Sequence, residues 1–254
     1  MKVVILAGGF GTRISEYTEI IPKPMIRIGD EPIIAHIMSI YSKFGFNDFI
    51  IALGYKSEVI KDYFLNYRNF NSDLEINLKE GTKKFLKTSS KDWKITLVDT
   101  GKSSLTGGRI LRLKNYLKNE RFMLTYGDGV SDININNLIK FHNKKSKVAT
   151  VTAVRPVARF GELQIKDENV INFSEKPQTQ KGWINGGFFV FEPEIFNYLK
   201  DDQTVLERDP LIKLSSENKL AAYQHSGFWH CMDTKRDKII LDSFCNDNST
   251  PPWK

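Results

Sequence analysis

KVVILA, residues 2–7, is apolar at every position after its lysine and rich in β-branched side chains. A strand with one wet face alternates apolar and polar residues. An unbroken run suits a strand covered on both faces, and such strands belong to parallel sheets flanked by helices. The pattern recurs. EPIIAHIMSIYSKFG places Ile33, Ile34, Ile37, Met38, Tyr41 and Phe44 at helical spacing and stops at Gly45, and DFIIAL reads as the next strand. KSEVIKDYFLNY carries Val59, Ile60, Tyr63, Phe64 and Tyr67 on one helical face, with Ser57 placed as its N-cap. WKITLVDTG is strand-like, GGRILRLKNYL helix-like, and RFMLTYGDG ends a strand in a small polar turn. From Val148 onward the texture turns to strands and hairpins, VATVTAV, GELQIKDENVINFSEKP and GWINGGFFVFEP, before a helical PEIFNYL. The expectation is an α/β fold with a mostly parallel sheet and a second half of more antiparallel character. No repeat, low-complexity segment or linker divides the chain, so residues 1–254 read as a single domain.

Composition removes several function classes. A content of 41% hydrophobic and 26% charged residues is that of a globular protein, and no apolar run approaches the roughly 20 residues of a membrane helix. The chain enters its first strand at once, so no leader peptide is expected. Two cysteines, Cys231 and Cys245, do not make a disulfide framework and point to a reducing compartment, with the cytoplasm as the expectation. The net charge of +7 invites a nucleic-acid partner. The lysines are scattered among acids, as in KKFLKTSSKDWK from Lys83 to Lys94, and form no basic arm; a small anionic substrate accounts for the sign as well. Neither nucleic acid nor membrane is expected as a partner.

Chemistry gathers where strands end. VVILAGGFGTR lacks the third glycine of a dinucleotide fingerprint, since Ile14 stands there, and lacks the Gly-Lys of a P-loop. Gly8, Gly9 and Gly11 can still bring backbone N–H groups close to an anion, helped by a following helix N-terminus, and Arg13 adds a five-donor fork. Open α/β sheets bind ligands at the carboxyl ends of their strands, so AGGFGTR, DTG and YGDG are expected side by side. Asp128 in YGDG and Asp233 in GFWHCMDT form a candidate Mg²⁺ pair, because that ion takes one or two carboxylates and keeps positions for phosphate and water. A turn-forming aspartate at 128 and a helix N-cap at 233 are the structural alternatives. Lys23, stiffened between Pro22 and Pro24, and Lys176, beside Glu175, supply cations. Together these groups describe phosphoryl or nucleotidyl transfer, where catalysis is mostly positioning and charge neutralisation. His36 reads as a satisfied core histidine, His225 and His230 lack metal-ligand spacing, and Cys231 reads as a small buried thiol rather than a nucleophile.

Taken in order, ILAGGFGTR, PKPM, DTG, TGGR, TYGDGVSD, RFGEL, EKP, WINGGFFV and GFWHCMDTKRDK resemble the sugar-1-phosphate nucleotidylyltransferases, and the cytidylyl branch of that family in particular. The resemblance implies an α/β fold with a Rossmann-like, mostly parallel central sheet flanked by helices and a smaller antiparallel substrate-binding region. It implies a nucleotide-binding lobe over about 1–147 and a sugar-phosphate lobe over about 148–254. The implied reaction joins CTP and α-D-glucose 1-phosphate into CDP-glucose and pyrophosphate; the same chemistry with UTP, dTTP, GTP or another sugar 1-phosphate is the alternative, as is a non-catalytic nucleotide-sugar-binding protein. By that resemblance Leu6, Ala7, Gly8, Gly9, Phe10, Gly11, Thr12 and Arg13 hold the nucleotide. Arg13 and Lys23 face its phosphates, and Thr106, Arg109 and Gly127 complete the pocket. Asp128 and Asp233 bind Mg²⁺, while Glu175, Lys176, Asn185 and Gly186 hold the sugar phosphate with Trp183 nearby. Arg13, Lys23, Asp128 and Lys176 carry the catalysis, and a homo-oligomer is expected. His230 and Cys231 depart from the Gln and Pro that the resemblance leads one to expect.

Overall fold

The computed structural model describes residues 1–88, 90–156, 162–166, 168–174, 182–245 and 250–254. Among them seven strands form one sheet, in the order Leu220–His225, Ala149–Val154, Ile184–Phe191, Phe122–Tyr126, Lys2–Leu6, Asp48–Leu53, Lys94–Asp99. The first strand runs parallel to both neighbours, with Val4 level with Ile50 on one side and Leu124 on the other. Its side chains alternate between two cores. Val3 and Ile5 join the cluster around Ile33, Ile37 and Tyr41, and Val4 and Leu6 join Ile110, Leu113, Phe189 and Phe191 on the opposite face. This double burial is the reason KVVILA has no polar alternation.

The helix Ile33–Ser42 is buried along most of its length, and the chain leaves it through Gly45 at φ +82°, a conformation that glycine adopts without strain. Ser57 is not a cap. The helix begins at Ser57 itself, and Lys56 before it takes a left-handed turn at φ +48°. Tertiary bonds impose that turn: the Tyr55 N–H donates to the Gly8 carbonyl, the Tyr55 hydroxyl to the Thr18 carbonyl, and Lys56 to the Glu19 carbonyl.

The second half is the more antiparallel one, as its sequence suggests, apart from one parallel pair. Ala149–Val154 and Leu220–His225 pair in parallel, and in the sheet only Ile184–Phe191 runs against its neighbours. The link to it from Ala149–Val154 carries the antiparallel hairpin Glu162–Lys166 and Asn169–Ser174 and, among the described residues, no crossover helix. PEIFNYL, read as helical, is a short 3₁₀ segment from Pro193 to Tyr198. The aromatic-rich stretch from Tyr63 to Phe85 divides. Tyr63 packs on Phe64 and Tyr67 against the core, whereas the hairpin Ser72–Asn77 and Thr82–Thr88 stands clear of the sheet.

Candidate active site

AGGFGTR leaves the central strand at its carboxyl end, beside Gly127 and Asp128 at the end of the neighbouring one. Gly9 has open space where a side chain would stand, so its backbone faces outward. Gly8 lies against the Arg109 guanidinium, which a Cβ would meet at 2.2 Å, and Gly11 takes φ +65°. Phe10 stacks at a tilt on Tyr55, ring centroids 5.2 Å apart. The expected helix N-terminus is not there. Thr12–Ile14 is a single 3₁₀ turn followed by the four-residue helix Ser15–Thr18, so the loop's affinity for anions rests on its N–H groups and nearby cations.

Those cations meet both aspartates. Pro22 and Pro24 hold Lys23 at the start of a 3₁₀ turn, where it is almost fully buried. Its Nζ donates to Asp128 Oδ2 and Asp233 Oδ1, each at 2.6 Å, and Arg13 Nη1 donates to Asp233 Oδ2 at 2.6 Å. A short ladder makes this meeting possible: Gly129–Ser131 pairs with Trp229–Cys231, and the Met232 N–H donates to the Asp128 carbonyl at 2.8 Å. Burial opposes the charge on Lys23, but Asp128 and Asp233 outweigh it and hold the pKa above its ordinary value. Burial likewise opposes the Asp233 carboxylate, and Lys23 with Arg13 brings its pKa below the usual value. Asp233 is not the helix cap either. Thr234 caps Lys235–Ser243 in a reciprocal box with Asp237, which leaves the Asp233 carboxylate to the cations.

One ligand atom from each of Asp128, Cys231 and Asp233 lies within 4.8 Å of the others. The pair of carboxylates fits a hard divalent cation: both present oxygen, and a cation, the Lys23 ammonium, already bridges them. Cys231 does not suit that role. Its sulfur is a soft donor that a hard cation does not favour, and burial with the adjacent Asp128 pushes the half-buried thiol's pKa up.

The remaining residues fall into three groups. Arg109 is buried, and its guanidinium donates to the carbonyls of Gly8 (2.9 Å), Leu53 (3.0 Å) and Gly101 (2.7 Å) and to Thr100 Oγ1 (2.9 Å). It therefore ties three strand ends together from behind the glycine loop. Gly107 and Gly108 in TGGR are packing glycines: a Cβ on Gly108 would lie 2.3 Å from the Asp202 carbonyl oxygen, and the N–H groups of both donate to the Thr204 carbonyl. A bulge opposite Thr152 aims the second group. Gly187 at φ +74° and the fully buried Phe188 at φ +49° are left-handed, and Asn185 and Gly186 project at the strand's start. Asn185 Nδ2 donates to the Tyr126 hydroxyl at 3.0 Å, Trp229 Nε1 to the Gly186 carbonyl at 2.8 Å, and Trp183 lies under Arg155 at 4.5 Å. Glu175 and Lys176 lie outside the described residues. Sequence reasoning missed the third group, Glu207 and Tyr126. Glu207 accepts from the Thr106 hydroxyl and the Tyr126 hydroxyl, each at 2.6 Å.

The family model described as nucleotidyl transferase matches residues 2–233. The chain is 47% identical to a glucose-1-phosphate cytidylyltransferase of Salmonella typhimurium and 47% identical to that of Salmonella typhi, each match covering 100% of this chain and 99% of the relative. Its fold is similar to that of HddC from Yersinia pseudotuberculosis complexed with GMP-PN, with a TM-score of 0.71 at 22% identity over 96% of this chain and 99% of that one.

Proposed function

Since the chain belongs to the nucleotidyl transferase family, we propose that it transfers the cytidylyl group of CTP to α-D-glucose 1-phosphate, giving CDP-glucose and pyrophosphate. The observation that carries the reading is the contact of Lys23 with both Asp128 and Asp233 beside the glycine loop, in a chain 47% identical to cytidylyltransferases along its whole length. The residues from Leu6 to Arg13 wrap the nucleotide with backbone N–H groups, and Arg13 and Lys23 face its phosphates. Thr106 and Gly127 border the nucleotide, and Arg109 serves the same pocket indirectly by holding the loop. Glu175, Lys176, Asn185 and Gly186 take the sugar phosphate, with Trp183 alongside. The sugar-phosphate oxygen attacks the α-phosphorus in line, pyrophosphate leaves, and no covalent bond to the protein forms.

Members of this family generally use a divalent metal, and here Asp128 and Asp233 would hold Mg²⁺, which when bound screens the two anionic reactants. Two cations, Arg13 and Lys23, balance the two carboxylates. Lys23 stays charged at neutral pH, its pKa being raised, and so offers a fixed positive charge to a triphosphate.

A second copy of this chain is the partner proposed for the protruding hairpin. Ile76, Leu78 and Leu86 are exposed on it, and Leu65 and Phe70 in the two helices just before it, apolar side chains of the kind that mark an interface. No helix among the described residues is long and apolar enough to cross a membrane. The proposed place of action is the cytoplasm. Incubating the protein with CTP, glucose 1-phosphate and Mg²⁺ and analysing products by mass spectrometry tests the reading. CDP-glucose with an equal amount of pyrophosphate is expected; unchanged substrates would overturn it.

A further inference from the structure

The segment from Asp201 to Glu207 crosses the face of the helix Thr106–Arg112. The Leu105 N–H donates to the Asp202 carbonyl at 2.8 Å and the Gly107 N–H to the Thr204 carbonyl at 2.9 Å. Gly107 and Gly108 allow that contact, since a Cβ on either would lie under 3 Å from this segment. The segment ends by delivering Glu207, a half-buried carboxylate, between Thr106 and Tyr126.

A carboxylate only accepts, so it dictates the direction of every hydroxyl that touches it. Thr106 must give its proton to Glu207 Oε2 and accept from the Leu206 N–H at 2.9 Å. Tyr126 must give its proton to Glu207 Oε1, which turns a lone pair toward Asn185 Nδ2. Asn185 Oδ1 accepts from the Gly187 N–H at 2.9 Å, so its carboxamide is held at both ends. One charge orients a line of side chains from the nucleotide's Thr106 to the sugar phosphate's Asn185. Among the described residues no lysine or arginine pairs with Glu207, so burying its charge is not explained by a salt bridge.

We propose that Glu207 is a positioning residue that orients Thr106 and, through Tyr126, Asn185, so that both substrates depend on one carboxylate that touches neither. The inference rests on the substrate assignments proposed above. Steady-state kinetics of Glu207→Gln, Tyr126→Phe and Thr106→Val, with each substrate varied in turn, test it. Tyr126→Phe cuts the line on the sugar side and is expected to raise KM for the sugar phosphate on the order of 10-fold, the worth of one hydrogen bond, with KM for the nucleotide unchanged. Thr106→Val should do the reverse. Glu207→Gln keeps the volume but accepts at one end and donates at the other, so at least one of the two KM values should rise, and where that is the sugar-phosphate KM, adding Tyr126→Phe should raise it no further. A Glu207→Gln enzyme with both KM values at wild type, whether or not its melting temperature falls, would overturn the proposal, as would fully additive effects of Glu207→Gln and Tyr126→Phe where both raise the sugar-phosphate KM. The comparison uses whichever nucleoside triphosphate and sugar 1-phosphate the wild-type enzyme turns over. A base or sugar other than cytosine and glucose would thus correct the function without touching Glu207.

Discussion

Asp128 and Asp233 act on one ammonium from two loops, so their roles are expected to be inseparable. Replacing either with Asn keeps the volume but takes one negative charge from the Lys23 cluster and one donor from the proposed Mg²⁺ site. Turnover should fall at least ~10²-fold in each variant, as for other electrostatic stabilisers, and the double variant should be little worse than either single one. Near-normal turnover in both Asn variants would reduce the aspartates to turn formers. This pair was legible in the sequence because each carboxylate sits at an element boundary, Asp128 between two glycines at a strand end and Asp233 just before a helix, where an open sheet gathers its ligands. Glu207 was not. VLERDP carries no strand end or glycine turn, and its partners Thr106 and Tyr126 come from distant elements, so no local spacing announces the contact. Arg109, expected from the resemblance to complete the nucleotide pocket, instead ties carbonyls together behind the glycine loop, because a guanidinium that serves phosphate and one that joins carbonyls look alike in sequence.

Among elements, the hairpin Ser72–Asn77 and Thr82–Thr88 forms a two-stranded sheet of its own, and such a hairpin is at best marginally stable alone. Ile76 and Leu78 are 56% and 91% exposed, so charging them removes little packing within the chain. Ile76→Asp together with Leu78→Asp is therefore expected to shift the protein to a smaller sedimenting species with its melting of secondary structure nearly unchanged. An unaltered sedimentation coefficient would remove the hairpin from any interface. The element pattern itself came readily from periodicity, as Ile33–Ser42 and Asp48–Leu53 illustrate. Its errors lay where tertiary bonds override local preference: Ser57 lost its cap role to a turn pinned by Tyr55 and Lys56, and the glycine loop ran into a 3₁₀ turn because Thr18 and Lys23 crowd Gly11.

At the scale of the whole molecule, one sheet crosses the boundary drawn near residue 147 between the two lobes. The second half supplies three of its strands, which alternating apolar runs alone do not reveal. Two buried histidines tie distant parts of this body. His36 accepts from Trp253 Nε1 at 3.1 Å while its other nitrogen lies 2.8 Å from the Ile28 carbonyl, and His142 lies against Thr150 and Glu192. Burial lowers both pKa values below the ordinary 6.5, against the pull of Ile28 and Glu31 on His36, where Lys254 adds to the lowering. On His142, Glu192 opposes the shift and Arg121 reinforces it. The unfolded chain then binds more protons, so stability is complete above about pH 6.5 and declines as pH falls through that value toward the native pKa values. Melting temperature should fall between pH 7.5 and 5.5, and His36→Gln with His142→Gln should flatten that slope; an equal slope in the double variant would contradict it.

The central claim concerns which nucleotide this site uses, and the ratio of kcat/KM values for CTP, UTP, dTTP, GTP and ATP with saturating glucose 1-phosphate tests it most directly. A pocket whose buried polar groups pair with one base edge leaves them unpaired with another, so CTP is expected to exceed each purine nucleotide by on the order of 10³-fold or more. Equal kcat/KM for CTP and the purine nucleotides would contradict the account.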